Sequence, residues 1–449
     1  MKLPEKCPEW HQIMQRDSFK KFFEDSKEEK IRKIVSDANK NYYYWSKVRS
    51  AYGLTFAEAQ TAWAHIKFSR MAQRRTIPLR DTQGRAFAYW LPDTFLKQLH
   101  YLDQNASGEI LSGDPDVPSG EKERFLISSI MEESIASSQL EGAAVTREKA
   151  KEMLRAGRKP HGRGEPMIYN NYRTIMMLKD IINEPLSLDM LLKIQSMITE
   201  DALDDPSASG RLRKPEESIE VAMLDGTVVH TPPPAKELSE RMQLLCRYAN
   251  ENDTEEEFTH PVVKAIILHF WLAYDHPFVD GNGRTARALF YWYMLKAGYW
   301  MTEYLSISRI MIKAPMQYTR AYLYAELDDQ DLTYFLSFHL RTLRLAVTEL
   351  QNYLADKVKE IREISPQLVR YQGLNYRQSN LIHHALTHPG AVYTVRGHRN
   401  SWKVTYQTAR TDLLGLEKIG LFLKAKKGKE FLFFATENLS KKLKLSKKK

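Results

Sequence analysis

The stretch that decides the fold is HPFVDGNGRTAR, residues 276–287. Its Asp-Gly and Asn-Gly pairs form tight turns and tolerate positive φ, and Gly283 leaves the backbone bare where a ligand can approach closely. Residues that favour helices follow from Thr285 onward. The stretch therefore predicts a tight loop that opens directly into a helix.

The predicted loop has the composition of a polyphosphate site. A helix N-terminus offers free backbone N–H groups and the positive end of the helix dipole, and Arg284 and Arg287 lie three residues apart on one face. Asp280 supplies one hard oxygen ligand, which suits Mg²⁺ bound through one carboxylate, phosphate oxygens and water. His276 is the nearby group that titrates close to neutrality, so we predict that it acts as a general base.

The same stretch resembles the signature HPFx[DE]GNGRxxR of the Fic family at every defined position. The resemblance extends over residues 121–345 and implies a helical Fic-type core with a β-hairpin flap. Further matching segments are His260-Pro261 and His269 upstream, residues 210–213 before the flap, and residues 306–309 and 331–333 downstream.

The resemblance implies a protein adenylyltransferase with ATP as substrate. His276 would deprotonate a Tyr, Thr or Ser hydroxyl of a target protein or of the chain itself, and Asp280 would hold Mg²⁺ across the α- and β-phosphates. The nucleotide-binding residues that it implies are Gly281, Asn282 and Gly283 around the α-phosphate, and Arg284 and Arg287 at the β- and γ-phosphates. Because the α-phosphorus faces the nucleophile, AMP is the transferred group.

Residues 137–142 resemble the inhibitory pattern [ST]xxxE[GN] of the same family. They end a helix predicted over 121–140, with Gly142 as its C-cap, and Ser137 and Glu141 are spaced i, i+4. A Glu141 carboxylate that reaches Arg287 would neutralise the charge that receives the γ-phosphate, which implies autoinhibition. Two alternatives stay open: an ordinary surface glutamate, and a glutamate that positions water for removal of AMP.

The segment 216–234 resembles the family's flap, a hairpin that holds the target backbone as an added strand. Ile219 and Val221 alternate with polar neighbours, Asp225-Gly226 predicts the turn, and three prolines from Pro232 end the second strand. A plain surface hairpin is the alternative.

Helical periodicity dominates the remaining chain, so the predicted fold class is mainly α. Domain boundaries follow composition changes such as the Gly-, Ser- and Pro-rich segment 107–120. The expected domains are an N-terminal module with a hairpin (1–115), the Fic domain (116–350) with its inhibitory helix (121–142), a linker helix (351–375), a winged helix-turn-helix (376–435) and a basic tail (436–449).

The C-terminal region 376–434 resembles a winged helix-turn-helix, with 406–414 in the recognition helix. Arg410 and the neighbouring lysines are candidates for phosphate contacts, so DNA is one expected partner. A protein-interaction or packing module is the alternative. From Leu421 to the end there are ten lysines and two glutamates, whereas the formal net charge of the whole chain is +10.

Composition and residue spacing disfavour several other classes of protein. No segment is long and apolar enough to predict a membrane span, and two distant cysteines do not indicate a disulfide framework, so a cytoplasmic location and no membrane partner are expected. Oligomers are possible. A metal hydrolase that uses His260, His269, His276 and Asp280 is disfavoured because their spacing matches no known ligand pair. A DNA-binding regulator with a silent or sensory Fic core is the competing function.

Overall fold

The computed structural model describes residues 3–16, 22, 24–107, 119–222, 226–251, 258–368, 373–388, 390–427, 430–436 and 438–443. The chain divides into two compact units, and each unit draws on separate stretches of sequence. The first comprises residues 1–108, 173–302 and 307–346; the second comprises 109–172, 303–306 and 347–449. The described residues are mainly helical, as the sequence predicts.

The described residues at the beginning of the first unit include five helices and a β-hairpin. The helices are α1 (Trp10–Arg16), α2 (Glu29–Asn41), α3 (Trp45–Ala51), α4 (Phe56–Met71) and α5 (Asp93–Ala106). Between α4 and α5, strands β1 (Arg75–Arg80) and β2 (Ala86–Tyr89) pair antiparallel, which confirms the hairpin predicted within the N-terminal module. Helix α4 starts at a capping box in which Thr55 and Glu58 satisfy each other's backbone N–H groups.

A buried ionic cluster joins α4 to residues 328–334 of the same unit. Lys67 and Asp328 are each 2% exposed and form an ion pair of 2.8 Å. Arg70 is fully buried and donates to Tyr334, and Tyr42 donates to Asp331 over 2.6 Å. Each charge is neutralised by an opposite charge or a hydrogen bond, which is the condition for burying it.

The remaining helices of the first unit surround one apolar element. They are α8 (Gly164–Leu178), which the two units share, α9 (Leu188–Thr199), α10 (Leu238–Asn250), α11 (Pro261–Asp275), α12 (Asn282–Lys296), α13 (Ile307–Met311), α14 (Pro315–Leu327) and the start of α15 (Thr333–Leu368). Helix α11 is buried on all sides from Val262 to Leu272 and packs along α12. A helix that is hydrophobic all round belongs at the centre of a core.

A short hairpin precedes α10 in the same unit. Strands β3 (Val221–Ala222) and β4 (Val228–His230) pair antiparallel. The hairpin predicted over 216–234 is therefore present, but Ile219 lies before β3 rather than in it. Met223, Leu224 and Asp225 of the predicted turn lie outside the described residues. Short 3₁₀ turns occur at Lys179–Ile181, Pro206–Ala208, Ala235–Glu237 and Trp300–Tyr304.

The second unit contains two apolar clusters. The first cluster joins α6 (Ser119–Leu140), α7 (Arg147–Ala156) and the start of α8 through side chains such as Ile135, Met153 and Ile168. The second cluster lies within residues 376–443. Its elements are α16 (Tyr376–Thr387), β5 (Val392–Thr394), α17 (Val395–Trp402), α18 (Tyr406–Lys418), β6 (Phe422–Lys427), β7 (Glu430–Ala435) and α19 (Leu439–Lys442).

A winged helix-turn-helix consists of three helices followed by a wing of two strands, and the C-terminal elements have this order with one strand added. Strand β5 was not expected, and it pairs antiparallel with β7 to give a sheet of order β5-β7-β6. A three-residue strand is too short to show alternation, because its pairing depends on β7 far along the chain. The winged helix-turn-helix assignment of this region stays a prediction.

Two further features differ from, or extend, the sequence expectations. The linker helix expected over 351–375 is not a separate element, because no glycine or proline interrupts residues 345–348 and α15 is one helix from Thr333 to Leu368. No helix among the described residues is long and apolar enough to cross a membrane.

Candidate active site

The motif 276–287 forms a corner between α11 and α12. Helix α11 ends at Asp275, and His276 follows in the left-handed region with φ 45° and ψ 56°. Helix α12 begins at Asn282, directly after Gly281 with φ 84°. Positive φ is uncommon for a residue with a side chain, so the position of His276 depends on its surroundings. The predicted loop-to-helix transition is confirmed, but the Asn282-Gly283 pair, which was predicted as a turn, lies in the first turn of the helix.

Asn282 closes this corner from inside. Its side-chain oxygen accepts from the Phe278 backbone N–H over 2.9 Å, and its amide donates to the Phe278 carbonyl over 2.8 Å. Both groups are buried. Both polar groups of the Asn282 side chain are thus hydrogen-bonded within the loop. A nucleotide would therefore contact Asn282 through its main-chain N–H group.

The ring of His276 is oriented by the last turn of α11. Its Nδ1 lies 3.4 Å from the carbonyl oxygen of Ala273. Because a carbonyl only accepts, this contact places the proton on Nδ1 and makes Nε2 the basic nitrogen of the neutral ring. The ring is partly exposed, which suits a group that must meet a substrate.

Asp280 and Arg284 form an ion pair at the start of α12. The Asp280 carboxylate is 49% exposed and lies 3.2 Å from the fully buried Arg284 guanidinium. The same carboxylate oxygen accepts from the Gly281 backbone N–H, and Arg284 also donates to the Ile198 carbonyl over 3.1 Å. Two of the five N–H donors of the Arg284 guanidinium are therefore already directed at acceptors of the protein. The predicted role of this arginine is more constrained than the sequence indicates.

The helix start supplies the other anion-binding groups. The backbone N–H groups of Asn282, Gly283 and Arg284 have no carbonyl partner within α12, because the first intrahelical bond runs from Thr285 to Gly281 over 2.8 Å. Arg287 lies one turn further along α12 and is 1% exposed. The first unit thus brings together His276, Asp280, Gly281, Asn282, Gly283, Arg284 and Arg287.

A single carboxylate limits the type of metal site at this corner. Among the described residues, no group of three or more His, Cys, Asp or Glu side chains could hold a metal ion. The half-exposed Asp280 fits Mg²⁺, which is commonly held by one or two carboxylates together with substrate phosphates and water. In the disfavoured hydrolase alternative, both upstream histidines have other partners, since His260 pairs with Asp103 and His269 bonds the Tyr318 hydroxyl.

Sequence reasoning missed two buried polar side chains that support the corner. Gln195 of α9 is fully buried; it donates to the Asp280 carbonyl over 3.1 Å and accepts from the Gly210 N–H over 2.6 Å. Arg213 is 7% exposed and donates to the His276 carbonyl over 3.0 Å. A polar residue on the apolar face of α9 was the available signal for Gln195. Arg213 lies in the segment 210–213 that resembles the family, but the resemblance did not predict its bond to the His276 carbonyl.

A third missed residue is His230, at the end of β4. Its Nδ1 lies 2.9 Å from a Glu326 carboxylate oxygen and its Nε2 lies 2.7 Å from the Tyr274 carbonyl oxygen. Both partners are acceptors, so both nitrogens must carry protons. Burial opposes the charge, but the Glu326 hydrogen bond and negative charge raise the pKa of His230 above its usual value.

An acidic group is buried beside His276. Burial raises the pKa of Asp275 to about 6, although Arg241 of α10 opposes this effect by pairing with its carboxylate. Trp271 donates to the same carboxylate over 3.1 Å. Asp275 thus ties the end of α11 to α10, and it stabilises the turn from which His276 projects.

The predicted inhibitory residues belong to the second unit. Helix α6 ends at Leu140, and Gly142 has φ 89°, which confirms that it caps this helix. Ser137 is buried within α6, whereas Glu141 lies in the turn after it and is exposed. The predicted i, i+4 relationship on one helix face is therefore incomplete, because the helix stops one residue before Glu141.

The corner lies within a segment that matches a known protein family. The model of the Fic/DOC family matches residues 185–294, which include α9, the β3–β4 hairpin and the whole motif. The chain contains a Fic/DOC domain. The sequence resemblance at residues 276–287 is thereby confirmed at the level of the domain.

Curated relatives match the Fic domain over short segments. A protein adenylyltransferase Fic of Nematostella vectensis is 32% identical over 117 residues, which are 26% of this chain and 25% of that protein. A protein of the same name from Drosophila ananassae is 40% identical over 70 residues, covering 16% of this chain and 14% of the relative. The chain thus aligns with a quarter or less of the length of these relatives.

A solved structure resembles the fold over a longer span. A variant fragment of Fic-1 from C. elegans superimposes with a TM-score of 0.51 at 18% identity, covering 73% of this chain and 84% of that chain. At this identity the likeness shows the fold alone. It agrees with a mainly helical architecture around the Fic domain.

Proposed function

We propose that the protein transfers AMP from ATP to a hydroxyl group of a protein. The observation that carries the proposal is the corner in which the His276 ring, the Asp280 carboxylate and the start of α12 lie within a few residues of one another. The Fic domain and the relatives named protein adenylyltransferase support the same reaction. Tyr, Thr and Ser of a target, and of the chain itself, are the proposed acceptors.

His276 is the proposed base. Nε2 takes the proton of the acceptor hydroxyl as its oxygen attacks the α-phosphorus, the bond to the bridging oxygen breaks, and pyrophosphate leaves. The Nδ1 contact with Ala273 keeps Nε2 available for this proton.

The start of α12 is the proposed phosphate site. The main-chain N–H groups of Asn282, Gly283 and Arg284 stabilise the negative charge that builds on the α-phosphate oxygens. Arg284 and Arg287 are proposed to bind the β- and γ-phosphates. Mg²⁺, held by Asp280, supplies neutralisation of the phosphate charge when it is bound.

Residues 137–142 are the proposed brake. The pattern that ends at Glu141 and Gly142 supports autoinhibition, and the Gly142 cap holds the turn that carries Glu141. Replacement of Glu141 by Gly is expected to raise AMP transfer. If Glu141 instead serves AMP removal, the Glu141→Gly protein loses hydrolysis of an AMP-modified protein while its own labelling is retained.

The direct test compares ATP labelled at the α- and γ-phosphates. The Glu141→Gly protein is expected to label protein with α-labelled ATP and not with γ-labelled ATP, and the double variant Glu141→Gly/His276→Ala is expected to lose that labelling. Labelling from the γ-position would indicate phosphorylation, and labelling that survives without His276 would exclude this base.

A DNA-binding regulator is the second candidate function. The surface of α18 favours it, because Gln407 and Arg410 are exposed there and Lys403 is exposed just before the helix. Fluorescence anisotropy with random duplex DNA should then show binding that weakens with salt and on Arg410→Ala substitution. Binding that is unchanged in Arg410→Ala, or absent, would remove this candidate.

A further inference from the structure

We propose that Arg213 and His230 are positioning residues that fasten both arms of the β3–β4 hairpin to the turn that carries His276. The proposal rests on the proposed function, because it takes the hairpin as the edge that holds the target and His276 as the base. The proposed role of Arg213 and His230 is to keep the hairpin and His276 in a fixed position relative to each other.

We call the segment from Gly210 to the end of β3 the entry arm of the hairpin. Arg213 fastens this arm. Its Nε donates to the His276 carbonyl over 3.0 Å, and its backbone N–H donates to the Pro277 carbonyl over 2.9 Å. A terminal guanidinium nitrogen also donates to the carbonyl of Pro233, which follows the exit arm. The Arg213 side chain therefore connects the entry arm to the backbone of His276 and to the residues that follow the exit arm.

Strand β4 is the exit arm of the hairpin, and His230 at its end fastens it. Its two ring nitrogens donate to the Tyr274 carbonyl, two residues before His276, and to Glu326 of α14. Only the doubly protonated ring can make both bonds. Loss of one proton therefore breaks one of the two links between β4 and the helices behind it.

Gln195 extends the same connection to the other end of the corner. It links the Gly210 N–H, at the beginning of the entry arm, to the Asp280 carbonyl. The hairpin is thus held at His276, at Tyr274 and at Asp280. The bonds at these three residues all end on carbonyl oxygens of the main chain. They therefore fix the course of the backbone rather than the chemistry of a side chain.

This arrangement separates target positioning from nucleotide binding. Misplacement of a reacting group by about 1 Å can cost on the order of 100-fold in rate, whereas the proposed phosphate site belongs to α12. Loss of Arg213 or His230 should therefore lower the rate of AMP transfer and leave ATP affinity nearly unchanged. A residue with only a structural role would instead lower stability and nucleotide affinity together.

The first experiment uses Arg213→Met in the Glu141→Gly protein. Arg211→Met is the matched control, because Arg211 lies two residues away and pairs with Glu217 instead. Self-labelling with α-labelled ATP is expected to fall about 10-fold or more in Arg213→Met, with less than about 2-fold change in ATP affinity by calorimetry. Arg211→Met should retain the parent rate.

Hydrogen exchange provides a readout that does not depend on activity. Amides of residues 221–222, 226–230 and 276–281 should exchange faster in Arg213→Met and not in Arg211→Met. Unchanged exchange in both segments would overturn the proposal. If the parent protein labels nothing, the proposed function fails, while the exchange comparison still decides whether Arg213 fastens the hairpin.

The second experiment addresses His230 by ¹⁵N NMR of the histidine rings, with its signals assigned from a His230→Gln protein. Both ring nitrogens should be protonated at neutral pH, and Glu326→Gln should lower the pH at which the ring loses a proton. The other titratable groups near the ring are Tyr274 and Asp275 of α11, and Arg241 pairs with Asp275. A neutral His230 ring at neutral pH would contradict the two-bond link.

Discussion

Asn282 spans the loop at the centre of the Fic domain by bonding both the N–H and the carbonyl of Phe278, over 2.9 and 2.8 Å. These bonds hold the backbone between His276 and α12 in a single conformation. The side chain that the motif places among the phosphate-binding residues therefore acts first on the loop itself. The reactivity of the corner depends on this internal contact.

Asn282→Ala tests that dependence. Removing the side chain leaves two buried backbone groups without these partners, which should lower the free energy of unfolding by about 1–3 kcal/mol. Asn250→Ala is the matched control, because Asn250 makes the same pair of bonds to Leu186 over 2.8 and 2.7 Å, outside the corner. Both variants should lose similar stability in urea denaturation, but only Asn282→Ala should lose AMP transfer. Equal activity in the two variants would contradict the role given to Asn282.

The buried ion pair of Lys67 and Asp328 should make a large contribution to stability. Asp328→Ala leaves the Lys67 ammonium buried without its closest carboxylate, at an expected cost of about 3–5 kcal/mol. Glu29→Ala is the control, because its pair with Lys33 is exposed and should contribute at most about 1 kcal/mol. Urea denaturation midpoints measure both, and comparable losses would contradict this difference.

Buried histidines should make the fold sensitive to acid. Burial lowers the pKa of His339 to about 3 and that of His269 well below its usual value. The unfolded chain therefore binds more protons than the folded one below about pH 6.5, and each histidine removes about 1.4 kcal/mol per pH unit as the pH falls. This stability is lost from about pH 6.5 downward until each folded-state pKa is reached.

The variant His339→Phe separates this effect from other titrating groups. Its free energy of unfolding should fall less steeply below about pH 6.5 than that of the parent, whereas His100→Gln, at an exposed position of α5, should keep the parent slope. Denaturation curves collected along a pH series give both slopes. Identical slopes for His339→Phe and the parent would exclude His339 as a cause.

Gly142 links backbone strain to the proposed brake. With φ 89° and no atom within 4 Å of an added Cβ, Gly142→Val should cost about 1–2 kcal/mol through conformation alone. The control Gly84→Val has the same open surroundings at φ 80° in the β1–β2 turn. Self-labelling with α-labelled ATP should rise only in Gly142→Val, because only this change disturbs the turn that carries Glu141. A rise in both variants would assign the effect to general loosening.

Local sequence chemistry was sufficient to predict the corner and several turns. Gly281 and Gly142 occupy left-handed positions that glycine favours, and a helix follows the loop as predicted, although it starts at Asn282, three residues before Thr285. The early hairpin was predictable because its turn and both strands lie within fifteen residues of sequence. In each case the deciding interactions are short-range.

The supporting residues could not be predicted in the same way. Gln195, Arg213 and His230 support the corner through bonds to its main-chain atoms, and any polar side chain on a neighbouring element could in principle fill such a role. Their partners at Asp280, His276 and Tyr274 lie far along the chain. Strand β5 was missed for a related reason, since three residues become a strand only when β7 pairs with them.

The most direct test is a crystal structure of the Glu141→Gly protein with Mg²⁺ and a non-hydrolysable ATP analogue. The α-phosphate oxygens should lie about 3 Å from the main-chain nitrogens at the start of α12, with the metal on Asp280 and the α-phosphorus facing Nε2 of His276. A nucleotide bound elsewhere, or one whose α-phosphate is turned away from His276, would contradict AMP transfer at this corner.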